Sequence, residues 1–318
     1  MRVLVTGGSG YIGSHICRLL TERGDTPVVV DDFVFGLRHR VAGISHHELD
    51  LAAPSASAAL LEILRDEHVD AVIHLAARKQ VGESVARPLW YHAQNLGGLT
   101  AVLEAMVAAG VQNLVFSSSA AVYGDADGVV TERAPTVPVN PYGQTKLAGE
   151  WMAADVARAE GLRVTSLRYF NVAGAGWPDL ADTAVLNLVP MVLERLEAGE
   201  SPQIFGDDYP TVDGTCVRDF VHVRDLAEAH LAVLDALPGQ PGPHRVYNVG
   251  TGQGASVREV VEGIRRRLVD APPAVTRPRR PGDPAAVVAD VSLIADELGW
   301  RARHTLDDIL DSVIAARS

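Results

Sequence analysis

The 318-residue chain is short of several things, and each shortage excludes something. It has only two cysteines, Cys17 and Cys216, too few for a disulfide framework, so the expected compartment is a reducing cytoplasm. No apolar run approaches the ~20 residues needed to span a bilayer. Met1-Arg2 leads straight into Val-Leu-Val-Thr-Gly, which reads as leaving no room for a signal peptide. Positive charge is also short: 28 basic against 40 acidic residues give a formal net charge of −12. Nucleic acid and anionic membrane reward clustered positive charge, so neither is an expected partner, the local run Arg277, Arg279, Arg280 notwithstanding. His46-His47 and His222 belong to no metal-ligand constellation, and no metal is expected. Lysine is scarcest of all. Lys79 and Lys146 stand against 26 arginines, which makes both positions conspicuous.

What is present is a globular composition, 47% hydrophobic and 21% charged, without repeats or low-complexity tails. Short apolar runs at Arg2–Thr6, Pro27–Asp31, Ala71–Ala76, Asn113–Ser118 and Arg163–Tyr169 predict strands. Amphipathic stretches at Tyr11–Arg23, Ser57–Glu67, Gly97–Ala109 and Thr145–Ala159 predict the helices between them. This alternation predicts an α/β fold with a Rossmann-type, doubly wound parallel sheet. The second half is richer in Pro and Gly. It predicts a smaller C-terminal α/β substrate domain, with Arg245–Val249 as one more strand of the main sheet. The spacing Ser256-Val-Arg-Glu259 predicts a capped helix running to Leu268. The expected division is a nucleotide-binding domain over 1–170, a second domain over 171–318, and a segment at about 219–250 crossing back.

Thr6-Gly7-Gly8-Ser9-Gly10-Tyr11-Ile12-Gly13 lies between the first predicted strand and helix. Glycines there let the backbone turn tightly and approach a pyrophosphate at the helix N-terminus, so the turn predicts a dinucleotide site. The second strand ends in Asp31-Asp32, 18 residues past Gly13. An acid at that point accepts hydrogen bonds from the adenosine ribose and repels a 2′-phosphate, which favours NAD over NADP. Arg38 and Arg40 come several residues too late to serve NADP.

Tyr142-Gly-Gln-Thr-Lys146 places a phenol and an ammonium on one helix face. A nearby cation favours the phenolate, and lowering the phenol pKa by ~3 units takes about 4 kcal/mol. Phe116 to Gly124 carries a serine cluster, Ser117, Ser118 and Ser119, at the carboxyl end of a predicted strand, where open α/β sheets bind ligands. Ser119 is placed to share with Tyr142 the proton of a reacting oxygen.

With these residues in view the chain resembles the extended short-chain dehydrogenase/reductases and, within them, the UDP-hexose 4-epimerases. The resemblance runs nearly end to end: TGGSGYIGSH from Thr6, VIHLAARKQVGES from Val72, FSSSAAVYG from Phe116, PYGQTK from Pro141, LRYFNVAGA from Leu167, IFGDDYPTVDGTCVRDFVHVRDLA from Ile204, YNVGTG from Tyr247 and RRPGDPAAVVAD from Arg279. It implies inversion at C4 through a transient 4-keto sugar, with Ser119, Tyr142 and Lys146 as the catalytic group. It implies NAD lined by Gly7, Gly10, Tyr11, Ile12, Gly13, Asp31, Asp32, Asp50, Leu51, Leu75, Ala76, Ala77, Lys79, Asn95, Ser117, Tyr142, Lys146 and Tyr169. For the UDP-sugar it implies Lys79, Ser119, Tyr142, Asn171, Asn187, Leu188, Phe205, Arg218, Arg280, Asp283 and Val287. The competing account of Arg218 is an ordinary salt bridge with Asp219 or Asp225. The resemblance also implies a homodimer in which Gly97–Ala109 and Thr145–Ala159 pair across subunits as a four-helix bundle.

Three departures stand out. Phe220 takes a place where many relatives have tyrosine, the segment after Asp32 is short, and Val287 stands where relatives restricted to plain hexoses often carry a bulky tyrosine. The valine leaves room for an N-acetylated sugar. Rival readings are a 4-epimerase of another nucleotide sugar (uronic acid, pentose or deoxyhexose), a nucleotide-sugar 4,6-dehydratase and a non-catalytic NAD-binding scaffold. The dehydratase needs a strand-end acid, but Ser118-Ser119-Ala120-Ala121 has no carboxylate. A scaffold would tend to lose Tyr142 or Lys146, and both are present.

Overall fold

The computed structural model describes residues 1–280 and 282–317. Two compact units form. One comprises Met1–Gly124, Pro135–Tyr169 and Ala227–Tyr247; the other comprises Asp125–Ala134, Phe170–Leu226 and Asn248–Ser318.

The first unit is built on the seven-stranded sheet. From edge to edge its strands are His244–Val249, Arg163–Tyr169, Asn113–Ser119, Ala71–His74, Arg2–Thr6, Thr26–Asp31 and Ser45–Glu48. Pairing is parallel from Arg163–Tyr169 across to Ser45–Glu48. This is the expected Rossmann-type order, reversing at Arg2–Thr6. Successive residues face opposite sides, so a strand covered on both faces must be apolar throughout. Val3, Leu4 and Val5 are accordingly all fully buried. On one face Leu4, Val28, Val72, Leu114, Phe116 and Val164 pack against Leu60, Leu64, Leu99, Val102, Met106, Ala153 and Ala157 of three helices. The edge strand Ser45–Glu48, a polar Ser-His-His-Glu, has no apolar signature to predict it because most of it is exposed.

The helix expected from Thr145 begins at Pro141 and runs to Glu160. Asn140 caps it by accepting the Gly143 N–H at 2.9 Å, and Pro141 occupies the first turn, where its missing N–H costs nothing. Tyr142 and Lys146 therefore sit one turn apart near the start of a 20-residue helix.

In the second unit the strands Gly254–Ser256, Val217–His222, Ala286–Ala289 and Gly128–Val130 lie side by side, and Asn171–Ala173 pairs with Val217–His222. A separate two-stranded ladder joins Gln203–Phe205 to Val275–Arg277. Val189, Val192, Leu193, Ile204, Phe220, Val260, Ile264, Ile309 and Leu310 form its core. Phe220 is thus a packing residue, 6% exposed. The predicted capping box is present: Glu259 N–H donates to Ser256 Oγ at 2.9 Å, and Ser256 N–H donates to Glu259 Oε2 at 2.7 Å. Its helix ends at Arg265, short of Leu268.

Candidate active site

The glycine turn has little slack. Gly7 takes φ +71°, and a Cβ on it would lie 2.9 Å from the Ala76 nitrogen. A Cβ on Gly13 would lie 2.3 Å from the Gly7 oxygen. Tyr11–Arg23 then starts at Gly10 with no side-chain cap, so the turn presents Tyr11 and Ile12 at an uncapped helix N-terminus. Leu75 and Ala76 close the turn from the neighbouring strand end, their N–H groups donating to Thr6 Oγ1 at 3.2 and 3.3 Å. Uncapped donors and a cradle that any side chain would fill suit a pyrophosphate.

Asp31 and Asp32 part company in the structure. Asp31 is 7% exposed; its oxygens accept the Ser9 N–H at 3.0 Å and the Phe33 N–H at 2.9 Å, tying the glycine turn to the strand end. Asp32 pairs with Arg78, a residue the sequence reading passed over, and accepts the Val34 N–H at 3.0 Å. Arg38 is held by Glu48. Asp50 accepts the Ala52 N–H at 2.9 Å, and Leu51 is buried in the core.

Asn95 fastens the loop after Ala71–His74. It accepts the Arg78 N–H at 2.8 Å, donates to the Arg78 carbonyl at 3.0 Å and donates to Thr145 Oγ1 at 2.9 Å. It lies in a five-residue π-helical segment, Ala93–Gly97, a form that recurs at functional sites. Lys79 on the same loop is exposed.

Strand pairing sets Ser119 beside Tyr169 and Ser117 beside Leu167. Ser119 caps the next short helix, its Oγ accepting the Ala121 N–H at 3.2 Å. Lys146 is 5% exposed. Its Nζ donates to the Ser117 carbonyl at 2.6 Å and to Ser117 Oγ at 3.0 Å. Burial pulls its pKa down to about 7, with Glu150 acting against that. The expected lowering of the Tyr142 pKa does not hold for this chain alone. Burial raises it, and the Ser119 hydroxyl pulls the other way. Lys146 donates to the Ser117 carbonyl and hydroxyl, so its ammonium does not offset the desolvation of the phenol.

One supporting group escaped the sequence reading. Beneath the strand end, Ser118 Oγ donates to Glu150. Arg168 clamps that carboxylate with Nε at 2.9 Å and Nη2 at 2.7 Å. Its Nη1 donates to the Tyr123 hydroxyl at 3.0 Å. Both charged side chains are about one-twentieth exposed, at 6% and 4%. Removing one partner strands the other charge, so Glu150→Ala should cost ~3–5 kcal/mol, read as a lower urea midpoint. An alanine protein as stable as the parent would refute this. The spacing Lys146-x-x-x-Glu150 was the available signal, an extension of Tyr-x-x-x-Lys by one helical turn.

Among the proposed sugar-nucleotide residues of the second unit, the structure brings several together. Arg280 stacks over the Phe205 ring with Cζ 3.9 Å from the centroid. Arg218 lies 3.6 Å from Asp283 and donates to the Pro284 and Val217 carbonyls at 2.9 and 2.8 Å. Val287 pairs with Arg218 in register. Neither partner of the competing Arg218 account is the one found. Asp219 accepts N–H groups of Thr251 and Gly252 at 2.8 and 2.9 Å, and Asp225 accepts His304 Nδ1 at 2.7 Å. Asn187 precedes the helix Leu188–Glu197 and donates to Asp182 at 3.3 Å, while Leu188 packs against the core. Asn171 is exposed at the start of its strand. No group of residues suited to hold a metal occurs among the described residues.

Residues 3–250 match the NAD dependent epimerase/dehydratase family, and the chain belongs to it. Within that family it is 45% identical to the UDP-glucose 4-epimerase of Azospirillum brasilense, over 99% of this chain and 91% of that protein. Among solved structures, the UDP-glucose 4-epimerase of Stenotrophomonas maltophila, with bound NAD and formylated UDP-arabinopyranose, superimposes with TM-score 0.94. It is 40% identical and covers 100% of this chain and 98% of its own. The UDP-Glc/GlcNAc 4-epimerase of Campylobacter jejuni is 35% identical with TM-score 0.87, over 99% and 98% of the two chains.

Proposed function

We propose that this protein is an NAD-dependent isomerase that inverts C4 of a UDP-hexose, interconverting UDP-glucose and UDP-galactose. The observation that carries the reading is the group at one strand end: Tyr142 and buried Lys146 one helical turn apart, with the Lys146 amine fastened to Ser117 of the strand that ends in Ser119. The glycine cradle, the uncapped helix start and Asp31 suit the pyrophosphate and adenosine ribose of NAD. Asp31 and Asp32 at the strand end, with Arg38 held by Glu48, favour NAD over NADP.

Bound NAD would supply a reversible hydride acceptor for C4, held at the glycine cradle and beside Asp31. The chain's own work is with protons and position. Tyr142 accepts the proton of the 4-hydroxyl and later returns it, Ser119 holds the phenol and the sugar oxygen in line, and Lys146 supplies positive charge. The 4-keto sugar turns about its link to the diphosphate between the two transfers. That requires firm anchoring of the nucleotide and looser contact with the hexose. Arg218 and Arg280, planar and always charged, are the anchors for the diphosphate. Incubation with UDP-galactose should yield UDP-glucose on chromatography, and no conversion would overturn the reading.

Val287 supports a wider sugar range, since its branched three-carbon side chain leaves space a tyrosine would fill. UDP-N-acetylglucosamine should be epimerised, and Val287→Tyr should lose that activity at least tenfold more than activity on UDP-galactose. Equal losses would remove Val287 from the specificity determinants.

The homodimer is proposed on surface grounds. The helices Gly98–Ala109 and Pro141–Glu160 expose Val107 (37%) and Trp151 (61%), apolar surface that a partner would cover. Trp151→Glu should convert a dimer to a monomer in sedimentation velocity, and an unchanged coefficient would place the interface elsewhere. A cytoplasmic location rests on two buried, unbridged cysteines. No described helix is long and apolar enough to cross a membrane.

A further inference from the structure

One ion pair crosses from one side of the glycine turn to the other. In the sheet, Arg2–Thr6 lies between Thr26–Asp31 and Ala71–His74, and Thr6 stands level with Val30 on one side and His74 on the other. The glycine turn leaves from that middle strand. Asp32 follows soon after Val30, and Arg78 soon after His74. Adjacent strands lie ~4.8 Å apart, so the two outer strand ends stand ~10 Å apart with the turn between them. The Arg78 guanidinium nevertheless reaches across, its Nη2 donating to Asp32 Oδ2.

Both sides of the pair are held. The two side chains are 11% and 24% exposed, so salt screens them less than a pair on the open surface. The carboxylate is oriented, because its other oxygen, Oδ1, accepts the Val34 N–H at 3.0 Å. Arg78 Nε donates to Gln94 Oε1 at 3.2 Å, and its Cζ lies 5.6 Å from the Phe35 ring centroid and 5.3 Å from that of Trp90. Asn95 fastens the Arg78 backbone, accepting its N–H at 2.8 Å and donating to its carbonyl at 3.0 Å. The segment that carries Asp32 and Phe35 rests in turn on the glycine turn. The Leu37 N–H donates to the Ser9 carbonyl at 3.1 Å, and a Cβ on Gly36 would lie 1.8 Å from Ser9 Oγ.

We propose that the Arg78–Asp32 pair is a strap across the glycine cradle, and that Arg78 is a positioning residue that governs the entry and retention of NAD without gripping the dinucleotide itself. This rests on the reading of the glycine turn as the NAD site. An epimerase ends each turnover with its cofactor as it began, so the cycle never calls for exchange, and slow release serves it. Every contact of the strap is between groups of the chain, so its closure does not depend on the dinucleotide. A strap of that kind slows entry and exit together. A residue that grips the dinucleotide slows mainly exit.

Kinetics of NAD exchange test this. Release of radiolabelled NAD into excess unlabelled NAD gives koff, equilibrium dialysis gives Kd, and their ratio gives kon. In Arg78→Leu and in Arg78→Gln, koff and kon should each rise about tenfold while Kd stays within about threefold of the parent. Arg78→Gln keeps a polar side chain that can still bond Gln94, which separates loss of the charge from loss of packing. Asp32→Asn should also raise koff, and adding Arg78→Leu to it should raise koff no further, because both substitutions remove the same interaction. Unchanged koff in both Arg78 variants would overturn the proposal. So would a koff that rises at unchanged kon, the mark of a direct ligand of the dinucleotide, or effects of Arg78→Leu and Asp32→Asn that multiply in the double variant. A parent protein that binds no NAD would overturn the cofactor reading and the strap with it. A parent that binds NAD but releases it as fast as its Arg78 variants would overturn the strap alone.

Discussion

Tyr142→Phe is expected to fold as the parent does and to lose epimerisation by about 10³-fold. The substitution removes one oxygen and keeps the ring, so packing at the start of the helix Pro141–Glu160 is preserved. Ser119 stays in place, because its Oγ accepts the Ala121 N–H as the cap of the following short helix. The lost step is acceptance and return of the sugar proton, for which Ser119 is too weak a base alone. Burial raises the Tyr142 pKa, so in the free chain the phenol is protonated at neutral pH. Lys146 does not supply that offset in the free chain, so the positive charge of a nicotinamide held beside the phenol would have to. The measurements are conversion of UDP-galactose, a thermal melt and NAD binding by quenching of intrinsic fluorescence. Normal melting and binding with activity gone is the expected pattern. Activity within tenfold of the parent would remove Tyr142 from the proton path.

The parts of this architecture that could be read from sequence share one physical property: their signal is local. The strand Arg2–Thr6 is continuously apolar because it is covered on both faces, and the glycine turn follows it at once. The capping box at Ser256 lies within four residues. What could not be read depends on distant partners. Arg78 sits in a loop with no pattern of its own, and its pairing with Asp32 spans 46 residues. Glu150, Ser118 and Arg168 meet because a helix and two strands converge, and none of the three is unusual in its own segment. The edge strand Ser45–Glu48 is hidden for the opposite reason, since a solvated edge needs no apolar alternation. The direction of the Tyr142 shift is hidden from a local reading on the same account. Adjacency of phenol and ammonium on a helix face is visible in a five-residue spacing, whereas the Ser117 acceptors that engage the amine come from a strand 29 residues away.

Lys146→Arg should lower activity by about 10²-fold although it keeps a positive charge. The amine sits 2.6 Å from a carbonyl and 3.0 Å from a hydroxyl of one residue, with the Phe116 ring centroid 5.2 Å away. One turn further along the helix, Glu150 is already engaged by Arg168 and Ser118. A guanidinium brings five donors in a planar fork to a place where the amine has two acceptors, both on Ser117. Each donor left buried without a partner costs about 1–3 kcal/mol. The fork must therefore turn outward, displacing Tyr142 or the Ser117 contact. A second consequence separates charge from shape. With a pKa near 7, the Lys146 charge is present below neutrality and lost as pH rises through that value. An arginine stays charged throughout. Whatever activity the arginine protein retains should lack the component of pH dependence that the lysine contributes between about pH 6 and 8. Steady-state rates across that range for parent and variant decide the matter. An arginine protein with near-parental kcat would show that charge alone is needed, and that the presence of lysine here, in a chain that otherwise uses arginine at all but two basic positions, is incidental.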